Sequence, residues 1–242
     1  MTVLSVNLNK IALLRNSRGR DYPNVLTFAR KFIDLGVQGI TIHPRPDERH
    51  IKYADAYELG VFLKDFEAVE FNIEGYPNED FLEIIEAVRP DQCTLVPDAD
   101  NQLTSDHGWD FSQQGELVAD VIGRIKAWGV RTAVFLDPDP KQIAPAAEAG
   151  SDRIELYTES YAEAWGTPEQ EAVLAGFRET AQLATQAGLG LNAGHDLDLD
   201  NLADFLTIPN ILEVSIGHAL TVECIEQGMA QVVKRYLELC HG

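Results

Sequence analysis

The chain has 242 residues, of which 45% are hydrophobic and 24% are charged. These shares are ordinary for a globular protein and exclude intrinsic disorder, and no stretch approaches the roughly 18 consecutive apolar residues of a membrane span. The 39 acidic and 19 basic residues leave a formal net charge of −20. Because such a surface repels the phosphates of nucleic acids, we expect no nucleic-acid partner, and the lack of an apolar span predicts no membrane partner.

The cysteines and the N-terminus point to a reducing compartment. The three cysteines form no CxxC pair, which is typical of proteins whose thiols stay reduced. The N-terminal segment MTVLSVNLNKIALLRNSRGR has no basic lead followed by an apolar region and a cleavage site, so it does not resemble a secretion signal. We therefore expect a cytoplasmic protein.

Short β-rich runs alternate with helical segments along the chain. In the first helical segment, Val25, Phe28, Phe32 and Leu35 recur on one face at helical spacing, which indicates an amphipathic helix. The predicted helices span residues 25–35, 80–88, 115–128, 168–187 and 220–239. The predicted strands span residues 3–7, 39–43, 69–73, 93–96, 131–137, 153–157, 190–193 and 212–216.

This alternation predicts an α/β fold with a parallel sheet, because each strand–helix–strand connection has to cross over the sheet. Eight repeats in a chain of this length fit a (β/α)8 TIM barrel, which takes about 250 residues. The alternative is an open doubly wound sheet, but the first strand is followed by NLNK and not by a GxGxxG turn. With no linker or low-complexity tract, we expect a single barrel domain over residues 1–242.

Polar residues cluster where the predicted strands end. In a barrel these ends converge on one mouth, and catalytic groups sit there. A carboxylate or imidazole at such a position is therefore a site candidate. The polar or helix-opening residues at strand ends are Asn7, His43, Glu74, Asp137, Glu155, Asn192, His195, Gly217 and His218.

The segment ITIHPRPDERHI places three candidate groups after the second strand. His43 could transfer a proton, while Arg45 and His50 could bind a phosphate. The alternative is a histidine at a strand end followed by a solvated basic loop. Glu74, in VEFNIEG, would sit in a partly dry mouth, where desolvation raises the pKa of a carboxyl and suits it to base catalysis. It could equally cap a helix or form an ion pair.

Later in the chain, His195 in GLNAGHDL is either a proton donor or a helix cap. Gly217 and His218 open the last helix, where backbone N–H groups can bind an anion. Arg15 and Arg18 could give a second anion contact or be ordinary loop cations.

Because the histidines show neither HxH nor HExxH spacing, we expect no metal site.

Six segments resemble the pyridoxine 5′-phosphate synthase family of vitamin B6 biosynthesis, and together they run along nearly the whole chain. They are VNLNKIALLRNSRG, GITIHPRPDERHI, FNIEG, CTLVPD followed by LTSDHGWDF, GLNAGHDL and VSIGHAL. The resemblance implies a TIM barrel with extra helices that assembles into a homo-octamer and works without a cofactor.

The resemblance also implies a reaction, that of a transferase-type ring-closing synthase. Members of the family condense 3-amino-2-oxopropyl phosphate with 1-deoxy-D-xylulose 5-phosphate to pyridoxine 5′-phosphate, phosphate and water. His43 and Glu74 match the family's proton acceptors, and His195 matches its proton donor. The positions that contact the aminoketone phosphate are matched by Asn7, Arg18, Asp196, Gly217 and His218. Those that contact the deoxyxylulose phosphate are matched by Asn9, Lys10, Arg45, His50 and Thr104.

The chain departs from the family pattern at several binding positions. Many members have Asp-His where this chain has Asn9 and Lys10, and glycine where it has Asp196. Tyr157 and Glu159 replace the residues usual after the sixth strand. None of these changes touches His43, Glu74 or His195, so the departures concern ligand contacts and not the proton transfers.

Two other functions fit part of the pattern. One is a different phosphosugar barrel enzyme, an epimerase or an aldolase, for which Lys10 is the only lysine near a strand end that could form a Schiff base. The other is a barrel that binds a phosphorylated metabolite without catalysis.

Overall fold

Eight parallel strands close into a barrel. The computed structural model describes residues 1–98 and 105–242. Each strand pairs with the next along the chain, and the last pairs with the first, so the predicted (β/α)8 barrel is confirmed. The strands are β1 (Val3–Asn7), β2 (Gly39–Ile42), β3 (Glu70–Gly75), β4 (Gln92–Leu95), β5 (Arg131–Leu136), β6 (Arg153–Tyr157), β7 (Gly190–Gly194) and β8 (Ile211–Ile216).

Helices surround the barrel, and several of them are short additions that the sequence patterns did not predict. In the part of the chain that the structure describes, none is long and apolar enough to cross a membrane. The helices are α1 (Asn9–Asn16), α2 (Val25–Asp34), α3 (Tyr53–Leu63), α4 (Glu79–Val88), α5 (Phe111–Ala127), α6 (Ile143–Glu148), α7 (Glu159–Ala164), α8 (Gln170–Gln186), α9 (Leu202–Phe205), α10 (His218–Gln227) and α11 (Met229–His241).

The prediction of one continuous helix over residues 220–239 is wrong. Helix α10 ends at Gln227, and α11 begins at Met229. Gly228 lies between them with φ +91°, a conformation that a right-handed helix cannot contain and that glycine adopts without steric cost. Apolar periodicity alone does not reveal this break, because it continues in both helices.

Side-chain caps set the start of three helices. Asn24 accepts a hydrogen bond from the backbone N–H of Thr27 at the start of α2. Asn78 accepts one from Phe81 at the start of α4, and Asp110 does the same for α5. Each cap satisfies a backbone N–H group that has no partner within its own helix.

The hydrophobic core lies between the outer face of the barrel and the helices. Alternate residues of each strand point outward into it, among them Ile40 and Ile42 of β2 and Ile154 and Leu156 of β6, all fully buried. The closed sheet takes its strands from Val3 to Ile216, and the single domain over residues 1–242 stays a prediction.

The inside of the barrel is polar, whereas branched aliphatic residues dominate most TIM barrels. Buried hydrogen bonds join the side chains there: the hydroxyls of Ser5 and Thr41 are 2.7 Å apart, and Thr94 donates to Asn72 at 3.1 Å. Such a network is stable only when its members find partners. The buried polar residues of the strands include Ser5, Thr41, Asn72, Thr94, Glu155, Asn192 and Ser215.

Candidate active site

The three residues predicted to transfer protons all lie at the carboxyl ends of strands. His43 follows β2 directly, Glu74 is the penultimate residue of β3, and His195 follows β7 directly. His43 and Glu74 are buried, while the side chain of His195 is 24% exposed. In a closed parallel barrel these strand ends surround a single mouth, so all three residues lie at the same end of the molecule.

Glu74 is held between β1 and β8. Its Oε2 accepts a hydrogen bond from Asn7 Nδ2 at 3.5 Å, and its Oε1 accepts one from Ser215 Oγ at 3.5 Å. Burial raises the pKa of Glu74 well above its usual range, and the negative charges of Glu155, Glu213 and Asp98 raise it further. This carboxyl therefore exchanges its proton at a higher pH than an exposed glutamate does.

Glu155, one of the strand-end candidates of the sequence analysis, lies inside the barrel, near enough to Glu74 for its charge to raise the pKa of that carboxyl. It was predicted at a strand end, but it is the central residue of β6 and points inward. Gly194 allows the close packing there, since a Cβ at position 194 would lie 2.3 Å from Glu155 Oε1. Burial raises the pKa of Glu155 to about 8, with a further contribution from the charge of Glu213.

His43 is a neutral imidazole near pH 7. Burial lowers its pKa to about 3, and the positive charges of Arg45 and Arg49 lower it further. The 3.8 Å separation between His43 Nε2 and Asp98 Oδ2 is therefore a contact between a neutral ring and a carboxylate and not an ion pair. A neutral histidine can accept a proton, which is the role predicted for it.

His50 packs beside His43 and is also neutral, because burial lowers its pKa to about 3. The two ring centroids are 6.2 Å apart. His50 Nδ1 accepts a hydrogen bond from the backbone N–H of Ile51 at 2.9 Å, so the ring carries its proton on Nε2 and can donate from that atom. Asn9 joins this group to β1: its Oδ1 accepts from the His43 backbone N–H, and its own N–H donates to Asn7 Oδ1.

Arg45 is bound to a buried carboxylate that the sequence reasoning did not single out. Its Nη1 lies 2.5 Å from Asp98 Oδ2, and both side chains are at most 5% exposed. Ser105 Oγ donates to the same oxygen at 3.0 Å. A phosphate that binds Arg45 would therefore contact a guanidinium that is already bonded to Asp98. The sequence signal for Asp98 was its position after β4, in CTLVPD.

A second cluster surrounds His195. The carboxylate of Asp196 lies 2.8 Å from His195 Nδ1, and His218 and Lys10 are near enough for their charges to lower the pKa of Asp196. The charge of Lys10 also acts on His50, which places this lysine between the two clusters. Gly217 packs against Asn7, because a Cβ at position 217 would lie 3.0 Å from the Asn7 Cβ.

The remaining cationic candidates are Arg18 and Arg15. Arg18 is exposed in the turn after α1, and within residues 1–98 and 105–242 no ion pair involves its guanidinium. Thr104 lies outside the described residues. The alternative that Arg15 binds an anion is wrong, because its guanidinium is buried against Asp55, with Nη1–Oδ1 and Nη2–Oδ2 distances of 2.5 and 2.7 Å.

Across the described ranges, no three histidine, cysteine, aspartate or glutamate side chains come together in an arrangement that could hold a metal ion. The three cysteines are free thiols. Burial raises the pKa of Cys240 to about 12 and that of Cys224 to about 11, so neither is a reactive thiolate.

The buried carboxyl of Glu155 should make the stability of the protein depend on pH. Because its pKa rises from 4.5 to about 8 on folding, the native state binds more protons than the unfolded state between these values. The resulting stability is fully present below pH 4.5 and is lost as the pH rises toward 8. Glu155→Gln should therefore gain free energy of unfolding over the wild type, by up to about 1.4 kcal/mol per pH unit in this window.

Urea unfolding at pH 5, 6, 7 and 8 measures this difference. Glu83→Gln removes an exposed glutamate of α4, and its free energy of unfolding should change with pH in the same way as that of the wild type. A difference between Glu155→Gln and wild type that does not grow with pH would show that Glu155 is ionised in the native state throughout this range.

Fold and site together define a (β/α)8-barrel enzyme whose mouth carries titratable and cationic side chains. The family described as "Pyridoxal phosphate biosynthesis protein PdxJ" matches residues 4–242, and the chain belongs to this family. It is 51% identical over 240 residues to a pyridoxine 5′-phosphate synthase of Christiangramia forsetii, covering 99% of both chains. It is 47% identical over 242 residues to a protein of the same name from Rhizobium meliloti, covering 98% of this chain and 97% of the relative.

Solved structures extend the similarity in fold well beyond this family. Thiamine phosphate pyrophosphorylase from Pyrococcus furiosus superposes with a TM-score of 0.63, covering 99% of this chain and 95% of the other, at 11% sequence identity. At this identity the similarity concerns the barrel fold alone.

Proposed function

We propose that this protein is a pyridoxine 5′-phosphate synthase that condenses 3-amino-2-oxopropyl phosphate with 1-deoxy-D-xylulose 5-phosphate. The products are pyridoxine 5′-phosphate, inorganic phosphate and water. The observation that carries the proposal is the joint position of a neutral His43, a buried Glu74 with a raised pKa and His195 around one barrel mouth. The names of relatives that are about half identical over their full length support it.

The proposed reaction needs several proton transfers at neighbouring atoms. Amine and ketone first lose water to form an imine, which requires a proton for the leaving hydroxyl. Loss of phosphate and closure of the ring then require removal of protons next to a C=N or C=O group. We assign proton removal to His43 and Glu74 and proton delivery to His195, because positioned groups of this kind can serve as general acids and bases.

The two substrates each carry a phosphate, and we assign each phosphate to its own group of residues at the mouth. We assign the deoxyxylulose phosphate to Asn9, Lys10, Arg45 and His50, where His50 presents its Nε2 proton. Thr104 is assigned to the same substrate from the resemblance alone.

We assign the aminoketone phosphate to the start of α10. Gly217 and His218 stand at the N-terminus of this helix, where unpaired backbone N–H groups favour an anion. Asn7 and Arg18 are assigned to the same substrate from the resemblance, and Asp196 occupies another position of the matched set. Binding both substrates in one mouth turns their condensation into a positioned reaction, which can lower the barrier by about 7–11 kcal/mol.

The homo-octamer and the cytoplasmic location belong to the proposal as well. Several apolar side chains on the outer helices are exposed, and contacts between subunits would cover them. They are Leu13 and Leu14 of α1, Val61 of α3 and Ile225 of α10, of which Val61 and Ile225 are exposed by 71% and 74%.

The three cysteines are free thiols, which fits the reducing compartment of the proposed cytoplasmic location.

The test is to mix the purified protein with freshly prepared 3-amino-2-oxopropyl phosphate and 1-deoxy-D-xylulose 5-phosphate. We expect the pyridine chromophore to appear together with one equivalent of inorganic phosphate, and omission of either substrate to abolish both signals. Binding of both substrates without product would contradict the proposal and favour the non-catalytic barrel. Borohydride trapping of a ketose phosphate on Lys10 would favour the aldolase instead.

A further inference from the structure

The backbone that carries His195 is strained. His195 has φ +82° and Asp196 has φ +56°, a left-handed conformation that residues with a Cβ adopt only rarely. Hydrogen bonds hold it in place: the Thr158 hydroxyl donates to the carbonyl oxygens of Gly194 and His195, and Asn201 Nδ2 donates to that of Asp196 at 3.0 Å. Strain that neighbouring contacts maintain is common at functional sites.

The strained backbone brings two adjacent side chains into contact. Asp196 Oδ2 lies 2.8 Å from His195 Nδ1, with the two side chains 24% and 40% exposed. The ring of Tyr157 packs against the imidazole, with centroids 4.9 Å apart and planes at 73°. The imidazole is therefore oriented from two directions, by a carboxylate at Nδ1 and by an aromatic ring.

The surrounding charges keep this carboxylate ionised. The hydrogen bond from His195 lowers the pKa of Asp196, and the charges of His218 and Lys10 lower it further. The Tyr157 hydroxyl is hydrogen-bonded to Glu159 and does not compete for Asp196. The charges of His218 of α10 and Lys10 of α1 act on Asp196, while those of Glu159 of α7 and Asp106 of the segment before α5 act on the neighbouring Tyr157.

We propose that Asp196 is a positioning residue that holds the proton of the neutral His195 ring on Nδ1, so that Nε2 gains and loses the proton used in catalysis. A carboxylate at one imidazole nitrogen fixes the tautomer and orientation of the ring and stabilises its protonated form. Asp196 thereby acts on the reaction through His195. This inference rests on the proposed function, because it gives His195 the role of proton donor in that reaction.

Two substitutions distinguish the effect of the Asp196 carboxylate from the effect of the backbone conformation at this position. Asp196→Gly removes the side chain and suits the positive φ, while Asp196→Asn keeps a hydrogen-bond acceptor and also tolerates this conformation. We expect Asp196→Gly to lower kcat about tenfold or more with KM for both substrates within several-fold, and Asp196→Asn to recover part of that loss. A rise in KM for the aminoketone phosphate at unchanged kcat would overturn the proposal and make Asp196 a binding residue.

Nitrogen-15 NMR of the histidine side chains tests the tautomer directly and needs no turnover. The neutral His195 ring should be the Nδ1–H tautomer in the wild type and in Asp196→Asn, and should lose this preference in Asp196→Gly. Asp200→Asn removes a nearby exposed charge and should leave both the spectrum and kcat unchanged. An Nδ1–H tautomer that persists in Asp196→Gly would overturn the proposal. If the wild type makes no pyridoxine 5′-phosphate, the proposed function fails while the NMR result still decides what Asp196 does.

Discussion

Glu74→Gln should lower kcat by about 100- to 10,000-fold, the range that a positioned acid–base group contributes. The amide has the same shape as the protonated carboxyl but cannot accept and return a proton. Within the described residues the side chain of Glu74 forms hydrogen bonds with Asn7 and Ser215, and neither residue is assigned to the phosphate of the ketose. We therefore expect the Kd for 1-deoxy-D-xylulose 5-phosphate to stay within several-fold of the wild-type value.

Steady-state kinetics gives kcat, and calorimetric titration with the ketose phosphate alone gives its Kd. Glu83→Gln is the matched control, because it makes the same chemical change on the exposed face of α4. Turnover equal to that of the wild type would remove Glu74 from the proton-transfer set. A large rise in Kd at unchanged kcat would make it a ligand-binding group instead.

Arg45→Met should affect both stability and substrate binding. Arg45 and Asp98 form a buried pair with Nη1–Oδ2 at 2.5 Å, and removal of one partner of such a pair leaves an uncompensated buried charge, at a cost of about 3–5 kcal/mol. The loss of charge-assisted hydrogen bonds to the phosphate should also raise the KM for 1-deoxy-D-xylulose 5-phosphate about 10- to 100-fold.

The double variant Arg45→Met/Asp98→Asn separates these two effects. It removes the unpaired charge, so most of the stability should return in urea unfolding, while the KM should stay high because the phosphate contact is still missing. Arg124→Met removes an arginine from an exposed ion pair with Glu79 and should change neither quantity measurably. If the double variant keeps the wild-type KM, residues other than Arg45 bind the phosphate of 1-deoxy-D-xylulose 5-phosphate.

The general plan of the molecule could be read from the sequence because it depends on local patterns. Apolar runs of strand length alternating with helical periodicity predict the barrel, and the convergence of strand ends in a barrel then brings His43, Glu74 and His195 to the same end. The strand boundaries differ by a few residues at most, as in β3, which was predicted at 69–73 and spans Glu70–Gly75.

The parts that could not be predicted depend on contacts between distant residues. Arg45 and Asp98 are 53 positions apart, and they meet only because β2 and β4 end at the same level of the barrel. The bounds predicted for the sixth strand, 153–157, are those of β6, but the sequence does not show that its central residue Glu155 points into the barrel near other carboxyl groups. The contact between His195 and Asp196 depends on two positive φ angles, which no residue type other than glycine signals reliably.

A crystal structure with 1-deoxy-D-xylulose 5-phosphate and inorganic phosphate bound tests most directly whether one mouth serves both substrates. We expect the ketose phosphate group beside Lys10, Arg45 and His50, and the inorganic phosphate at the start of α10 beside Gly217 and His218. The carbonyl of the ketose should lie between them, within reach of His43 and Glu74. Anions bound outside the mouth, or His43, Glu74 and His195 facing separate cavities, would contradict the account.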